Sequence, residues 1–451
     1  MEAEQIHRVY FIGAGGIGMA ALARYFLRLG KPVAGYDRTP SPLTLALEQE
    51  GAALHFREAI EEIPMDFLNP AHTLVVYTPA VAAGHKELAY FRQQGFTIKK
   101  RAEVLGIISN SGRCLAVAGT HGKTTTSCIL AHLLREAGHK ITAFLGGVSE
   151  DFQSNFLMEG DEFTVVEADE YDRSFLWLRP EVACITSMDA DHLDIYGTAE
   201  ALVESFQEFA SRLRPEGTLL VRHGLPVVGL TYGTEGGATY CIKNLKVEAG
   251  CYHFDLVAPG QEFKGLRFCK PGRHNLLNGL AAFAMALQVV PASQRLADAL
   301  ATFKGVQRRF TYRVNTEDLV YIDDYAHHPA EIDAVHQAVR EMHPGKEILA
   351  VFQPHLFSRT RDFGREFAQS LSRFDQVWLL DIYPARELPL EGIDSHWLLE
   401  QIENPRKKWV SGERLLEEIK GARPQVLLTL GAGDIGLQAG PIKNALCHEI
   451  E

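Results

Sequence analysis

Apolar and polar positions divide the chain into three stretches, each of which opens with a short apolar run. In the first stretch the run at residues 9–12 leads through a cluster of glycines into helical apolar periodicity over residues 19–29. Further runs at residues 32–36 and 74–77 predict strands, and the cations at residues 99–101 predict a charged connection. Because strands and helices alternate, we expect a parallel sheet.

The second stretch begins in the same way and then changes in character. A buried strand at residues 114–118 precedes another glycine loop and a helix over residues 124–137, and further strands follow at 163–166 and 182–186. Short β-type runs separated by Gly and Asn then occupy residues 217–270, which predicts a β-rich elaboration of this domain.

The third stretch begins near Gln307. Its first strand is predicted at residues 319–322, and parallel strands separated by helices follow at 348–352, 376–380 and 426–430. The whole pattern predicts three α/β domains in series, with boundaries at residues 1–108, 109–306 and 307–451.

Composition and charge exclude several classes of protein. Of the 451 residues, 46% are hydrophobic and 23% charged, and 45 basic against 57 acidic side chains give a formal charge of −12. This acidic balance argues against a nucleic acid or an anionic membrane as partner. No apolar run approaches the roughly 20 residues that span a bilayer, and the N-terminus lacks a signal-peptide pattern. We therefore expect no membrane insertion and a cytoplasmic location.

The cysteines are scattered, odd in number and without a C-x-x-C pair. The seven are Cys114, Cys128, Cys184, Cys241, Cys251, Cys269 and Cys447. This pattern indicates neither a disulfide framework nor a zinc site, and it favours a reducing compartment. Each cysteine is expected to be a small core residue and not a nucleophile.

The first glycine loop has the features of a nucleotide-diphosphate site. Residues 13–18 satisfy G-x-G-x-x-G between a strand and a helix, and Asp37 lies 19 residues beyond Gly18 at the end of the next strand. Such a loop lets the backbone approach a diphosphate at a helix N-terminus, and the acidic residue takes a ribose hydroxyl. Alone, the motif is typical of a dehydrogenase. The motif indicates binding of a diphosphate and a ribose, however, and contains nothing specific to a nicotinamide.

The second glycine loop, residues 119–125, ends like a P-loop. Its amides and Lys123 would wrap phosphates, and Thr124 would offer a hydroxyl to Mg²⁺. The full P-loop pattern is incomplete because Val117 stands at its first glycine position. Two separate phosphate sites suit an enzyme that holds a nucleotide-linked substrate and activates it with ATP, since neither a dehydrogenase nor a simple kinase needs both.

Acidic and histidine-containing runs follow several of the predicted strands. Residues 167–172 and 189–194 are acidic, and the second run contains His192. Because the carboxyl ends of parallel strands meet at one edge, the two runs together favour a metal site over solvated loops.

Adjacent His327 and His328 are difficult to place in a core. Other polar runs, including one whose arginines suit carboxylate or phosphate groups, lie at residues 272–278, 307–310 and 353–361.

Together these runs resemble the Mur ligases over nearly the whole chain. In family order they are GTHGKTT, VEADEYDRSF, DADHLDIYG, GRHNLLN, GVQRRF, DDYAHHP and GAGDI. The resemblance implies an N-terminal Rossmann-like domain for UDP, a central P-loop ATPase-like sheet for ATP, and a C-terminal Rossmann-like domain that closes on ATP and binds the amino acid. AGGIGM, HHP and QPH…SRTR resemble the member that adds L-alanine to UDP-N-acetylmuramate. We expect the protein to be a monomer or a homodimer.

Carried over residue by residue, the resemblance implies four sets of site residues. ATP would be held by Gly119, Thr120, His121, Gly122, Lys123, Thr124, Thr125, His274, Asn275, Asn278, Arg308, Arg309 and Asp324. Mg²⁺ would be ligated by Thr124, Glu167 and His192. The UDP part would be held by Gly13, Gly15, Gly16, Gly18, Asp37 and Thr78. The amino acid would meet His355 and Arg359, although Leu356 stands where many alanine-adding members carry arginine.

The implied reaction proceeds through an acyl phosphate. The muramoyl carboxylate attacks the γ-phosphate of ATP, and the amine of L-alanine then displaces phosphate. Lys123, Glu167 and His192 would serve the phosphoryl transfer, and His327 or His328 is the candidate base because imidazole titrates near neutral pH.

Four alternatives stay open. The least favoured is a non-enzymatic nucleotide-sensing protein, because Lys123, Thr124 and Glu167 are all present. A recycling ligase would attach a tripeptide to the same UDP-sugar. A folate-polyglutamate ligase would lack a UDP-type first domain. An NAD-dependent dehydrogenase is a distant alternative that rests on the first domain alone.

Overall fold

The computed structural model describes residues 6–82, 84–189, 193–248, 250–385 and 387–447, with backbone only at residues 193 and 194. The chain forms two compact units. The first comprises Met1–Glu248, Tyr252–Phe268 and Leu277–Lys304, and the second comprises Ala249–Cys251, Cys269–Leu276 and Gly305–Glu451. No helix in the described part of the chain has the length and hydropathy needed to cross a membrane.

The first domain is built on a five-stranded parallel sheet with strand order β3-β2-β1-β4-β5. Its strands are β1 (Arg8–Ile12), β2 (Val33–Tyr36), β3 (Ala53–His55), β4 (Thr73–Tyr77) and β5 (Thr97–Lys100). Its helices are α1 (Ile17–Arg28), α2 (Pro42–Gln49), α3 (Lys86–Gln93) and α4 (Arg101–Asn110). The order reverses between β1 and β4, so the carboxyl ends of these two strands flank the crevice where doubly wound folds bind ligands.

The predicted charged connection at residues 99–101 is wrong. Lys99 and Lys100 complete the edge strand β5, and Arg101 is the first residue of α4. Ile98 packs against the core while the lysines lie at the sheet edge, where charged side chains are tolerated and discourage pairing with other chains. The cations therefore stand at the carboxyl end of a strand and not in an irregular loop.

The central domain contains a ten-stranded sheet with order β15-β14-β13-β12-β11-β10-β6-β9-β7-β8. Its strands are β6 (Cys114–Ala118), β7 (Ile141–Ser149), β8 (Ser154–Met158), β9 (Phe163–Glu167), β10 (Val182–Ile185), β11 (Thr218–Arg222), β12 (Leu230–Gly233), β13 (Tyr240–Glu248), β14 (Cys251–Ala258) and β15 (Gln261–Phe268). Its helices are α5 (Lys123–Glu136), α6 (Leu193–Tyr196), α7 (Ala199–Ser211), α8 (Arg273–Ala286) and α9 (Gln294–Thr302). The β-rich elaboration thus continues the same sheet, because β11 pairs in parallel with β10.

A disulfide joins Cys251 in β14 to Cys269 after β15, with the sulfurs 2.08 Å apart. The expectation that every cysteine is unpaired core filler is wrong for these two, and it is wrong for Cys447 as well, which is unpaired but exposed. Antiparallel pairing of Tyr252 with Phe268 places the cysteines opposite each other, although they are separated by 18 residues in sequence. Strand register, which the cysteine count does not contain, brings the two together.

The hairpin formed by β7 and β8 receives helix α1 of the first domain. Tyr25 of α1 lies with its ring 5.7 Å from that of Phe144 and 6.4 Å from that of Phe156. Arg24 donates a hydrogen bond to the side chain of Asn155, and Asn155 Nδ2 donates to the carbonyl of Ile17 at 2.6 Å. This apolar and polar contact fixes the helix that follows the first glycine loop against the central sheet.

The third domain has a six-stranded sheet with order β16-β17-β21-β18-β19-β20. Its strands are β16 (Thr311–Asn315), β17 (Val320–Asp324), β18 (Ile348–Phe352), β19 (Gln376–Leu379), β20 (Lys407–Trp409) and β21 (Val426–Leu430). Its helices are α10 (Pro329–Met342), α11 (Phe357–Asp362), α12 (Gly364–Leu371), α13 (Ser395–Gln401), α14 (Leu415–Ala422) and α15 (Ile435–Cys447). The prediction that this domain opens with the strand at residues 319–322 is wrong. The half-exposed edge strand β16 precedes that strand and pairs with it antiparallel.

Gly35 in β2 provides a test of the packing between β1 and β2. A Cβ at Gly35 would overlap the carbonyl oxygen of Phe11, its partner across the parallel pair. Since a backbone oxygen within a sheet cannot turn aside, we expect Gly35→Ala to destabilise the first domain by about 1–3 kcal/mol. Urea unfolding followed by intrinsic fluorescence measures the effect. Gly236→Ala is the control, because nothing lies near its Cβ, and an equal loss in both variants would contradict the packing argument.

Candidate active site

The first glycine loop lies at the crevice between β1 and β4. Gly13 follows β1 with φ +89°, and a Cβ there would lie 2.7 Å from the methyl group of Thr78, which follows β4. The N–H of Gly15 donates to Asp37 Oδ2 at 2.6 Å. Gly16 is the N-cap residue of α1. The structure therefore brings together the residues predicted to hold UDP, at the end of the sheet where such ligands bind.

Arg101 lies between the first loop and the acidic run of the central domain. Its Nη1 is 2.8 Å from the position of a Cβ added to Gly18, and its Nη2 is 3.4 Å from Asp169 Oδ2. The neighbouring Lys100 pairs with Asp172 at 2.8 Å. Neither cation was predicted to be a site residue. The available signal was a run of cations directly after an apolar segment.

The second glycine loop connects β6 to α5 and is shaped by close neighbours. Gly119 has φ +128°, and a Cβ there would overlap the hydroxyl of Thr186 at the end of β10. Gly122, the N-cap residue of α5, has φ +84°, and its Cβ would overlap the side-chain oxygen of Asn278. Asn278 thus lies against the loop, as expected for a residue of the ATP site. The loop amides stand at a helix N-terminus, which favours phosphate.

The next residues of the loop form hydrogen bonds with the segment that follows β10. Thr120 Oγ1 lies 2.9 Å from Ser187 Oγ, and the N–H of His121 donates to the same oxygen at 2.7 Å. His121 Nε2 is 3.6 Å from Asp189 Oδ2. Thr124 and Thr125 are buried in the first turn of α5.

Lys123 is paired with a carboxylate that the predictions did not include. Its Nζ donates to the carbonyl of Gly119 at 2.7 Å and lies 2.9 and 2.8 Å from the two oxygens of Glu170, which is 0% exposed. Burial alone would lower the pKa of the Lys123 ammonium, but Glu170, Asp169 and Glu167 outweigh it and raise that pKa. Burial raises the pKa of the Glu170 carboxyl, and Lys123 opposes the shift.

Glu167 ends β9 next to the loop strand. It lies opposite Val117 of β6 in the parallel register, and its Oε2 accepts a hydrogen bond from the N–H of Gly146 at 3.1 Å. A carboxylate here and the hydroxyl of Thr124 are the hard oxygen donors that a divalent cation prefers. His192, the third predicted metal ligand, lies outside the described residues.

In the third domain Asp324 is an interior carboxylate at the end of β17. It accepts hydrogen bonds from the N–H groups of Phe310 at 2.6 Å and Ala326 at 2.7 Å. Burial raises the pKa of Asp324 to about 6, although Arg309 and the two N–H groups oppose that shift. Asp324 therefore holds the two segments that carry Arg308, Arg309 and the histidine pair.

Arg308 and Arg309 both contact the ring of Tyr325. Their guanidinium carbons lie 5.2 and 5.0 Å from the ring centroid. Arg308 also lies 3.6 Å from Asp323 and Arg309 lies 3.7 Å from Glu331. The aromatic ring and two acids hold these cations in place at the carboxyl end of β17.

The two histidines after β17 differ in their surroundings. His328 is buried as the N-cap residue of α10, where its Nδ1 accepts from the N–H of Ala330 at 3.4 Å. His327 is more accessible, with Nδ1 3.2 Å from Glu331 Oε2, and its ring centroid lies 6.0 Å from that of His355. His327 is the better placed of the two to exchange a proton with a bound molecule.

Arg359 and His355 follow β18 on either side of Leu356. The ring of His355 stacks on Tyr383 at 5.7 Å. Leu356 has φ +70° and is the N-cap residue of α11, in which Arg359 is half-buried. Both predicted amino-acid-binding residues therefore lie at the carboxyl end of a parallel strand.

His274 and Asn275 begin α8 and belong to the second unit. Burial lowers the pKa of His274 to about 4, so its ring is neutral at physiological pH. Asn275 Nδ2 donates to the carbonyl of Pro271 at 2.7 Å, which fixes the turn that enters the helix.

Three family models match consecutive parts of the chain. They are described as Mur ligase family, catalytic domain (residues 8–113), Mur ligase middle domain (117–286) and Mur ligase, glutamate ligase domain (308–440). A UDP-N-acetylmuramate–L-alanine ligase of Christiangramia forsetii is 55% identical over 98% of each chain, and one of Flavobacterium johnsoniae is 54% identical over 100% of each. The chain belongs to the Mur ligase family. As a Mur ligase it is an ATP-dependent enzyme that works with a divalent metal.

Solved structures agree with this assignment. A UDP-N-acetylmuramate-alanine ligase from Thermotoga maritima superposes with a TM-score of 0.84 at 25% identity, covering 98% of this Mur ligase and 99% of that chain. A murein peptide ligase from Psychrobacter arcticus superposes at 0.71 with 21% identity over 98% of each chain, which shows a common fold. The predicted three-domain α/β fold and the family resemblance are both confirmed.

The Lys123–Glu170 pair in this Mur ligase leads to a prediction. Glu170→Gln removes the charge that holds the ammonium, so we expect kcat to fall about 10–100-fold, the worth of one hydrogen bond between charged groups. The KM for ATP should not rise, since the ammonium is retained and loses a competing anion. Steady-state phosphate release with varied ATP measures both constants.

Two further variants delimit that prediction. Glu170→Asp should recover part of kcat, and Glu204→Gln, at an exposed position on α7, should leave both constants unchanged. A raised KM for ATP with normal kcat in Glu170→Gln would contradict a role in positioning Lys123.

Proposed function

We propose that this Mur ligase joins L-alanine to UDP-N-acetylmuramate, forming an amide bond with release of ADP and phosphate, as a step in peptidoglycan precursor synthesis. The observation that carries the proposal is the pair of phosphate-type loops within one unit. Arg101 lies between the first loop and the acidic run whose Glu170 pairs with Lys123 of the second loop. The relatives that are 54–55% identical over essentially the full chain carry this activity in their names.

The first crevice suits the UDP part of the substrate. The N–H groups of residues 13–16 donate within the chain, so the N–H groups in the first turn of α1 would meet a diphosphate. Asp37 and Thr78 stand at the neighbouring strand ends. Because Arg101 faces Gly18 on one side and Asp169 on the other, a sugar carried by the diphosphate would extend from this loop toward Lys123. We assign the three roles of UDP binding, ATP binding and amino-acid binding to residues 1–108, 109–306 and 307–451.

The second loop suits the triphosphate of ATP and Mg²⁺. Lys123 and the loop amides would hold the phosphates, while Thr124, Glu167 and His192 would hold the metal. Mg²⁺ bound there supplies positive charge that offsets the charge developing on a transferred phosphoryl group. The carboxylate oxygen of the muramoyl group is a poor leaving group until it is phosphorylated, which is why an acyl phosphate precedes amide formation.

The third domain supplies the groups for the amino acid and for its deprotonation. Arg359 carries a planar guanidinium that can bind an α-carboxylate with two parallel hydrogen bonds. His327, which is accessible and lies near His355, is our candidate to accept a proton from the L-alanine ammonium. Since the reaction consumes ATP, we place it in the cytoplasm.

A tripeptide-adding ligase is the nearest competing function, and one assay separates the two. The purified chain is incubated with UDP-N-acetylmuramate, ATP, Mg²⁺ and one acceptor at a time, and phosphate release and product mass are recorded. We expect L-alanine to be the best acceptor, with glycine and L-serine about 10–200-fold poorer because a pocket discriminates one methyl or hydroxyl group weakly. Preferential use of a tripeptide, or NAD(H) binding that UDP cannot displace, would refute the proposal.

Arg359 gives a second test that is specific to the amino acid. Lysine keeps the charge but loses the paired geometry, so we expect Arg359→Lys to raise the KM for L-alanine roughly 10–100-fold, as for loss of a hydrogen bond to a charged group. The KM for ATP should change little. Arg361→Lys, at an exposed position in the same helix, is the control. Equal changes in the two KM values would show that Arg359 supports the fold of the domain and not the acceptor.

A further inference from the structure

A cleft lined by arginines lies at the edge of the central sheet where strands β6, β10 and β11 begin. Its volume is about 590 Å³, and it is lined by Asn110, Ser111, Arg179, Ser211, Arg212, Leu213, Arg214 and Pro215. The second glycine loop follows the opposite end of β6. Because β6 is a strand of five residues, roughly 16 Å of sheet, at about 3.3 Å per residue, separates the cleft from that loop.

Arg214 is fixed in the wall of the cleft by backbone carbonyls. Its Nε donates to the carbonyl of Arg179 at 3.1 Å, and its Nη2 donates to the carbonyls of Asn110, at 2.7 Å, and Gly112. A guanidinium has five N–H donors, and among the described residues none accepts from Nη1 of Arg214. The bonds therefore orient this cation without neutralising it.

The cleft is positive on a protein whose formal charge is −12. Arg212 pairs with Glu208 at 2.8 Å, but in the described part of the chain no carboxylate lies within ion-pair distance of Arg179 or Arg214. Glu181 is the other nearby acid. Arg113, 2.7 Å away, lowers the pKa of Glu181, and Arg214 adds to that shift.

The neutral polar groups of the cleft are used to hold its walls. Ser111 Oγ donates to the carbonyl of Ile108 and Ser211 Oγ to that of Glu208, each at 2.7 Å. Among the described lining residues Leu213 and Pro215 are the apolar ones, and none of the eight is aromatic. A ligand would therefore be recognised by the guanidinium groups of Arg179, Arg212 and Arg214, whose planar N–H donors match phosphate oxygens.

We propose that this cleft binds a polyphosphate chain, either as free inorganic polyphosphate or as the triphosphate of a nucleotide. Three cations surround a volume larger than a single phosphate needs, and the lining residues offer no aromatic ring on which a base could stack, so the phosphate chain is the part that is recognised. The three segments that meet here are the linker after α4, the segment that leads into the start of β10, and the turn between α7 and β11. A bound polyanion would join all three.

Hydrogen exchange read out by mass spectrometry tests the proposal locally on the full-length protein. Inorganic triphosphate should slow exchange in residues 110–113, 178–181 and 211–217. The double variant Arg179→Ala/Arg212→Ala should lose this protection, with the dissociation constant raised about tenfold or more, as for loss of hydrogen bonds between charged groups. Any protection at residues 119–125 should persist. Arg214 is left intact because its bonds hold the walls together.

The double variant Arg28→Ala/Arg222→Ala is the matched control, since it also removes two exposed cations from the same unit and should keep the protection. Equal slowing by ATP would support a nucleotide source of the triphosphate, and slowing by inorganic triphosphate alone would support a free polyphosphate. Protection confined to residues 119–125, equal loss in both double variants, or the same effect from chloride at matched ionic strength would overturn the proposal.

Discussion

The buried ion pair between Lys123 and Glu170 is the interaction on which the arrangement of the central site depends. Removing a charge from water is costly unless a partner compensates it, and Glu170 is 0% exposed. The glycine loop can therefore bring an ammonium inside the strand ends only because a carboxylate from the segment after β9 meets it there. That same segment carries Asp169 and Asp172, which pair with Arg101 and Lys100 of the first domain. One acidic run thus connects both phosphate-type loops.

Parallel sheets explain why the functional side chains collect where they do. In each of the three sheets most of the candidate residues lie at the carboxyl ends of parallel strands, because loops at the same edge are brought side by side whatever their distance in sequence. His274, Asn275 and Asn278, on helix α8, are the exceptions. The contact between α1 and the β7–β8 hairpin adds a second constraint within the first unit, since Asn155 holds the carbonyl of Ile17 directly beside the first glycine loop. Loop positions in this unit are therefore set by sheet register and by one helix contact.

The fold and the family could be predicted from the sequence because both depend on patterns among residues that are neighbours in the chain. Apolar runs, glycine loops and strand–helix alternation are properties of neighbouring residues, and the confirmed three-domain fold and Mur ligase assignment rest on them. The predicted site residues remain predictions. The structure places most of the described ones at strand ends and three of them on helix α8, and His192 lies outside the described residues. Errors fell on edge elements. Strand β5 has no buried residue and strand β16 has one, and both are rich in polar or charged residues, so their patterns resemble those of loops.

What the sequence alone determined about this protein is the identity of its elements and the chemical type of its loops. Which residues contact those loops was decided only by the tertiary structure. The contacts of Glu170 with Lys123, of Arg101 with Gly18 and Asp169, and of Cys251 with Cys269 join residues that are far apart in the chain. The physical reason is that such contacts depend on strand order and register, which are set by the packing of whole sheets and leave no mark at the individual positions.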